Sequence, residues 1–275
     1  MRSNEAGRNA ALQMFSLWQA YVANRGLGKL VSRWDSALTP ARGRRALAEL
    51  YFWISHQRYM RQVWAVERDP SVVGEHGESH PDYFRTRLGD DAPNMDMVGY
   101  MTGLRAGVRR DPRTGKWHGG VGTPAFWTTL AIGRLVRSRM EVEAPGSTVL
   151  QNVVELPSGD RVDGNVLCAL ERGRFVIETA RAGDQRRIFD AALAELAAAV
   201  GERSPQPSAD VLRRFADAVY LLFQAPLMTR GSDATIRTFA ATVFTFAFGR
   251  PIRLPHDIDL QAMSRRQSDF VEWFA

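Results

Sequence analysis

The chain has 275 residues, 45% of them hydrophobic and 24% charged, with a formal net charge of +6 and a single cysteine, Cys168. That length buries a full core and that balance belongs to globular rather than disordered chains, while one cysteine excludes an intramolecular disulfide framework. Lys29 and Lys116 are the only lysines, so the positive charge is carried by arginine in short clusters such as Arg42-Gly-Arg-Arg45, Arg109-Arg110 and Arg186-Arg187. These clusters are interleaved with acidic residues and accompany no nucleic-acid-binding motif, which disfavours nucleic acid as the partner.

The polar start, Met1-Arg-Ser-Asn-Glu, precedes an amphipathic segment rather than a continuous apolar run, so neither a signal peptide nor a membrane span is expected and the cytoplasm is the default compartment. From Ala10 to about Trp34, Leu12, Phe15, Leu17, Trp18, Tyr21 and Val22 recur at helical spacing, and Gly26 and Gly28 are expected to break the segment into one helix or two. Thr39-Pro40 supplies a cap and a first-turn proline for a second long helix carrying Leu47, Leu50, Tyr51 and Ile54 and ending before Pro70. His56 lies near its apolar face and reads as a packed residue.

Residues 70–124 are rich in Gly, Pro, Asp and His and read as loop, with a short helix at Met95–Leu104. The glycines around Lys116 lack the order of a phosphate loop and suggest a flap or hairpin turn. His76, His80 and Asp82 form too loose a set to predict a metal. Pro124–Met140 again has helical spacing.

The period then changes to two. Val149–Leu156, a Pro157-Ser-Gly-Asp160 turn and Val162–Leu170 predict a β-hairpin, with a third strand at Arg174–Thr179. Asp184 and Ser208 are expected to cap two further helices, whose inner faces are Phe189, Leu193, Leu196, Val200 and Val211, Phe215, Val219, Leu222 respectively.

The stretch Pro226-Leu-Met-Thr-Arg-Gly-Ser-Asp-Ala-Thr-Ile-Arg237 ends one helix, turns at Gly231 and opens another that has no charged residue from Thr238 to Gly249. A helix apolar nearly all round is a buried helix. Its first turn presents unpaired N–H groups and the positive end of the macrodipole, which suits a phosphate or carboxylate. Arg237 stands in the early turns, where the dipole disfavours a cation, and so needs a partner. The partner is either a bound anion or Asp233 in an i,i+4 ion pair. His256-Asp-Ile-Asp259 offers ligand-type side chains, but the preceding Leu254-Pro255 suggests that Asp257 caps a helix.

The hairpin, the Asp184 and Ser208 helices and the turn Gly231-Ser-Asp-Ala-Thr-Ile-Arg237 together resemble the Fic/Doc (Fido) superfamily over residues 149–252. In that family a β-hairpin flap aligns the target, and a motif HPFxxGNGRxxR joins two helices and holds a nucleotide phosphate. Gly231 and Arg237 match the motif. Pro226 or a neighbour stands at the histidine position, Arg230 replaces the acidic residue that holds magnesium, and Ala234 replaces the first arginine. The pattern is closer to members of the AvrB type, which keep the fold without the histidine.

The expectation is therefore a mostly α single domain. Residues 1–140 would form helical layers with a Gly/Pro-rich loop, 149–252 a Fido-like core with a small hairpin flap, and 253–275 a C-terminal docking segment. The resemblance implies a transferase moving a nucleotide-derived or phosphorylated group, as from a nucleotide sugar, to a hydroxyl acceptor. Arg237 and Arg230 would be catalytic, and Thr229, Gly231, Ser232 and Asp233 would bind the anion. His118, His256 and Asp257 are the candidates for a base. The partners implied are a nucleotide-type or phosphorylated small molecule and a protein target, without a membrane; no cofactor is named and no metal is expected. The alternative is a Fido-like protein-interaction module without activity.

Overall fold

The computed structural model describes residues 2–34, 39–65, 85–88, 109–110, 117–118, 148–169, 175–178, 180, 182–227, 232–255 and 258–275. Among them are seven helices: α1 (Arg2–Arg33), α2 (Pro40–Ala65), α3 (Ala182–Gly201), α4 (Ala209–Gln224), α5 (Ser232–Phe248), α6 (Ile258–Ser264) and α7 (Gln267–Phe274). Six strands are described: β1 (Arg85–Leu88), β2 (Arg109–Arg110), β3 (Trp117–His118), β4 (Thr148–Glu155), β5 (Arg161–Ala169) and β6 (Phe175–Glu178). The protein is mostly α with a small antiparallel β-hairpin as its main β element, and the chain divides into two compact units, two of whose boundaries fall inside α3 and α4. The helices expected at Met95–Leu104 and Pro124–Met140 lie outside the described residues.

The first unit holds α1, α2, the chain from Ala192 to Val219, and α5. Helix α5 is its centre. Ala234, Ile236, Phe239, Ala240, Val243, Phe244, Ala247 and Phe248 are all buried, and α1 and α2 pack against α5 as well as against each other. Thr238 and Thr242 enter this core, and Thr245 its margin, because they return their hydroxyls to the carbonyls of Ala234, Thr238 and Ala241 at 2.8, 2.7 and 2.8 Å, which satisfies those three donors. Aromatic edges fill the remaining space: Tyr51 meets Phe239 at 5.3 Å between centroids, and Phe244 meets Phe248 at 4.6 Å and Phe215 at 5.2 Å.

Gly26 and Gly28 do not interrupt α1, which is the one-helix alternative of the two that the sequence left open. A Cβ at Gly26 would stand 3.1 Å from Leu50 Cδ1 and 3.2 Å from Thr242 Cγ2, so the glycine leaves room for side chains of α2 and α5 to approach α1 closely. The packing outweighs a propensity penalty of about 1 kcal/mol. Both Ser/Thr caps form as the sequence indicates. Arg42 N–H reaches Thr39 Oγ1 at 3.4 Å and Val211 N–H reaches Ser208 Oγ at 3.3 Å. Asp184, expected as a cap, sits inside the first turn of a helix that begins at Ala182, where its charge still suits the dipole.

Burial pushes the Tyr51 phenol far above its ordinary value of 10.0. The folded state therefore keeps this proton while the unfolded chain releases it. Stability from Tyr51 is complete below pH 10 and declines as pH rises beyond it, by up to about 1.4 kcal/mol per pH unit. Urea unfolding across that range is expected to show this slope, and Tyr51→Phe is expected to flatten it.

The second unit contains the sheet, α3 up to Ala191, α4 from Tyr220, and α6 with α7. The sheet order is β1-β6-β5-β4, all pairs antiparallel. Strands β4 and β5 form the expected hairpin, and the turn at 157–160 is closed by the Leu156 N–H on the Asp160 carbonyl at 2.8 Å. Asn152, Val154 and Leu156 point inward and Gln151, Val153 and Glu155 outward, the period of two read from the sequence. Strand β6 is the expected third strand. The fourth, β1, corrects the loop expected over residues 70–124, since Arg85–Leu88 pairs with Phe175–Glu178, a partnership no local pattern encodes; the antiparallel β2–β3 pair lies beside Lys116, where the sequence suggests a flap or hairpin turn.

A buried amide cluster holds the hairpin to the end of α4. Gln224 Oε1 accepts from the Asn165 backbone N–H at 3.0 Å and from Asn152 Nδ2 at 3.2 Å, while its Nε2 donates to the Ala262 carbonyl at 2.7 Å. Asn152 Nδ2 also reaches the Met263 carbonyl at 2.8 Å, and Asn165 Nδ2 the Phe223 carbonyl at 2.7 Å. The final helix docks beside them: Phe270 is fully buried with its ring 5.4 Å from Tyr220, and Gln267 exchanges two hydrogen bonds with the Glu155 backbone at 2.8 and 2.9 Å. Through these contacts α7 packs against the other elements of the second unit.

Candidate functional site

Helix α5 opens at Ser232, one residue after the expected Gly turn, so Ser232 and Asp233 occupy its first turn with their amides at the positive end of the dipole. Asp233 is the acidic residue there, which itself stabilises the helix end. Thr229, Arg230 and Gly231 lie outside the described residues, so of the six predicted site residues the structure places Ser232, Asp233 and Arg237.

Arg237 is held on two sides. Its Nε donates to Asp233 Oδ1 at 2.6 Å, the i,i+4 pair offered by the spacing, and its Nη1 donates to the Pro255 carbonyl at 2.6 Å. The second bond was not legible in the sequence, because it depends on the chain after α5 returning to the start of that helix. With a side chain only 17% exposed, the guanidinium is a fixed group that ties Pro255 to the first turns of α5. This answers the need for a partner within the chain itself. It also neutralises Asp233, whose carboxylate would otherwise repel an anion at the same helix end.

Pro226, at the position that the family resemblance assigns to the histidine, is buried, and its carbonyl accepts from Gln185 Nε2 at 2.8 Å. A proline cannot take a proton from an acceptor hydroxyl. Of the candidate bases, His256 and Asp257 lie outside the described residues, and His118 falls in β3, described by its backbone pairing to Arg109. Asp259 lies in the first turn of α6. His76, His80 and Asp82 also lie outside the described residues, and among those described no three His, Cys, Asp or Glu side chains stand together as metal ligands would.

Two concavities in the first unit were missed by the sequence reading. One, of 520 Å³, is walled by Trp34, Pro40, Gly43, Arg44, Ala197 and Arg203. The other, of 570 Å³, lies between α1 and α2 and collects Lys29, Arg33, Arg45, Glu49 and Trp53. The spacing Arg45, Glu49, Trp53 does place three of these on one face of α2, a signal available in the sequence. Their meeting with Lys29 and Arg33 is a tertiary fact.

Among the described residues no helix is long and apolar enough to cross a membrane. In comparison with known proteins, no family model matches the chain and no curated protein sequence matches it.

Proposed function

We propose that the chain is a transferase-like protein that binds a nucleotide-derived or phosphorylated group at the N-terminus of α5 and passes it to a hydroxyl acceptor, in the manner of a divergent Fido protein that has lost the motif histidine. The observation that carries this reading is the start of α5. A buried helix opens at Ser232 with its first-turn amides unshielded by net charge, because Arg237 neutralises Asp233 at 2.6 Å. Arg237 is then a positioning residue. Without a base at position 226, catalysis would rest on holding donor and acceptor together and stabilising the departing phosphate.

The test is a thermal-shift panel of nucleoside triphosphates, nucleotide sugars and phosphorylated metabolites. A ligand at a hundred times its dissociation constant stabilises by about 2.7 kcal/mol. Arg237→Ala is expected to lose that shift, since Asp233 is then an unneutralised anion at the site, whereas Asp233→Asn is expected to keep it. The shift surviving in Arg237→Ala, or no ligand shifting the native protein, would sink the reading.

The second reading, an interaction module without chemistry, is favoured by a different observation. Met14, Leu17, Tyr21 and Val31 on α1 are 56%, 67%, 59% and 64% exposed, an apolar load on the outer face of a helix whose other face packs on α2 and α5. Equal thermal shifts near zero for every phosphorylated ligand would leave this reading standing.

A further inference from the structure

The concavity between α1 and α2 has a charge pattern that the fold does not require. Among the described residues that line it, Lys29, Arg33 and Arg45 face one carboxylate, Glu49, which leaves two positive charges at its rim. Glu49 accepts from Arg45 Nε at 3.2 Å and also pairs with Arg33, and all three side chains are substantially exposed. Exposed pairs of this kind contribute little to stability. The arginines of α2 are also placed against its dipole: Arg42, Arg44 and Arg45 stand in the first two turns, and no acidic residue occupies the first turn to balance them. Of these, Arg45 lines the concavity, where its charge is open to an anionic ligand.

The rest of the lining sets the character of that ligand. The floor is apolar, with Leu30 and Leu50 buried, and its volume of 570 Å³ falls in the range of small-molecule sites. Trp53 forms part of the wall with Lys29 Nζ 4.9 Å from its ring centroid, and Phe52 stands beside it 40% exposed. Guanidinium forks match phosphate bidentately, and aromatic walls take a flat ring. We propose that the α1–α2 concavity binds a small aromatic phosphate, its dianion held by Arg33 and Arg45 and its ring lodged against Trp53 and Phe52. Glu49 then acts as an internal competitor that occupies both guanidiniums until the ligand displaces it. The site is separate from the start of α5 and does not depend on transferase chemistry there.

Calorimetric titration of the full chain with naphthyl phosphate tests this, with inorganic phosphate and naphthol as the charge-only and ring-only probes. Saturable one-to-one binding is expected, about tenfold or more tighter than for either probe alone. Arg33→Gln with Arg45→Gln is expected to weaken it about tenfold or more at unchanged melting temperature. Glu49→Gln is expected to tighten it about threefold, because the competing carboxylate is gone. The exposed Arg213→Gln is expected to leave affinity unchanged. No saturable binding, equal losses in Arg213→Gln and the double variant, or weaker binding in Glu49→Gln would overturn the proposal.

Discussion

Replacing Gln224 with leucine is expected to lower the free energy of unfolding by about 3–4 kcal/mol while leaving the volume at the site nearly unchanged. The side chain is fully buried, and its carbonyl oxygen serves both strands of the hairpin while its amide serves α6. Leucine removes those partners but not the groups they satisfied. The Asn165 backbone N–H and the Ala262 carbonyl would be left without Gln224 in a site that excludes water, and an orphaned buried group costs more than the hydrogen bond itself. The neighbouring Gly164 sharpens the expectation, since a Cβ there would stand 2.7 Å from Gln224 Oε1 and 3.0 Å from Val154 Cγ2. The hairpin backbone is pressed onto the amide, with no room for another side chain to take over. Urea unfolding of Gln224→Leu, Asn152→Leu and the double variant checks this. Strong coupling between the two positions is expected, and additive losses would mean that the cluster does not act as one network.

Phe239→Ala is expected to cost about 3–5 kcal/mol, the range for deleting a buried aromatic ring from a well-packed core. Phe239 has no exposed surface and lies on α5, against which both α1 and α2 pack. Its edge contact with Tyr51 at 5.3 Å adds a directional component, and the cavity left behind would border a ring held in place by that contact. Val153→Ala on the exposed face of β4 provides the comparison, with an expected change within about 0.5 kcal/mol. Chemical unfolding of both variants measures the contrast. A loss below about 1.5 kcal/mol for Phe239→Ala would mean that the core closes over the missing ring and that α5 is less central than its burial indicates.

Much of the fold was legible because it depends on local rules. The charge-free run from Thr238 to Gly249 announced a buried helix, and eleven residues of α5 are buried. Thr39 and Ser208 announced helix starts because a hydroxyl one turn before an apolar stripe satisfies amides that nothing else reaches. The hairpin followed from a change of period and a Pro-Ser-Gly-Asp turn. At the site, the Asp233–Arg237 spacing offered their ion pair as one of two possible partners for the arginine.

What was not legible joins residues far apart in the chain. Strand β1 is four residues in a segment rich in turn formers, and it becomes a strand only because the edge of β6 offers hydrogen bonds to it. Gln224 reads locally as the polar end of an apolar helix, yet it is the buried junction of β4, β5 and α6. Arg237 received its second partner from Pro255, and Glu49 joined Arg33 to Arg45 across two helices. By itself the sequence determined where helices start, which faces they bury and where the hairpin turns, since periodicity, capping and turn chemistry act within a few residues. Only the tertiary structure decided which polar groups satisfy one another and which charges share a concavity, because a buried amide or an arginine is defined by partners that the chain brings together only on folding.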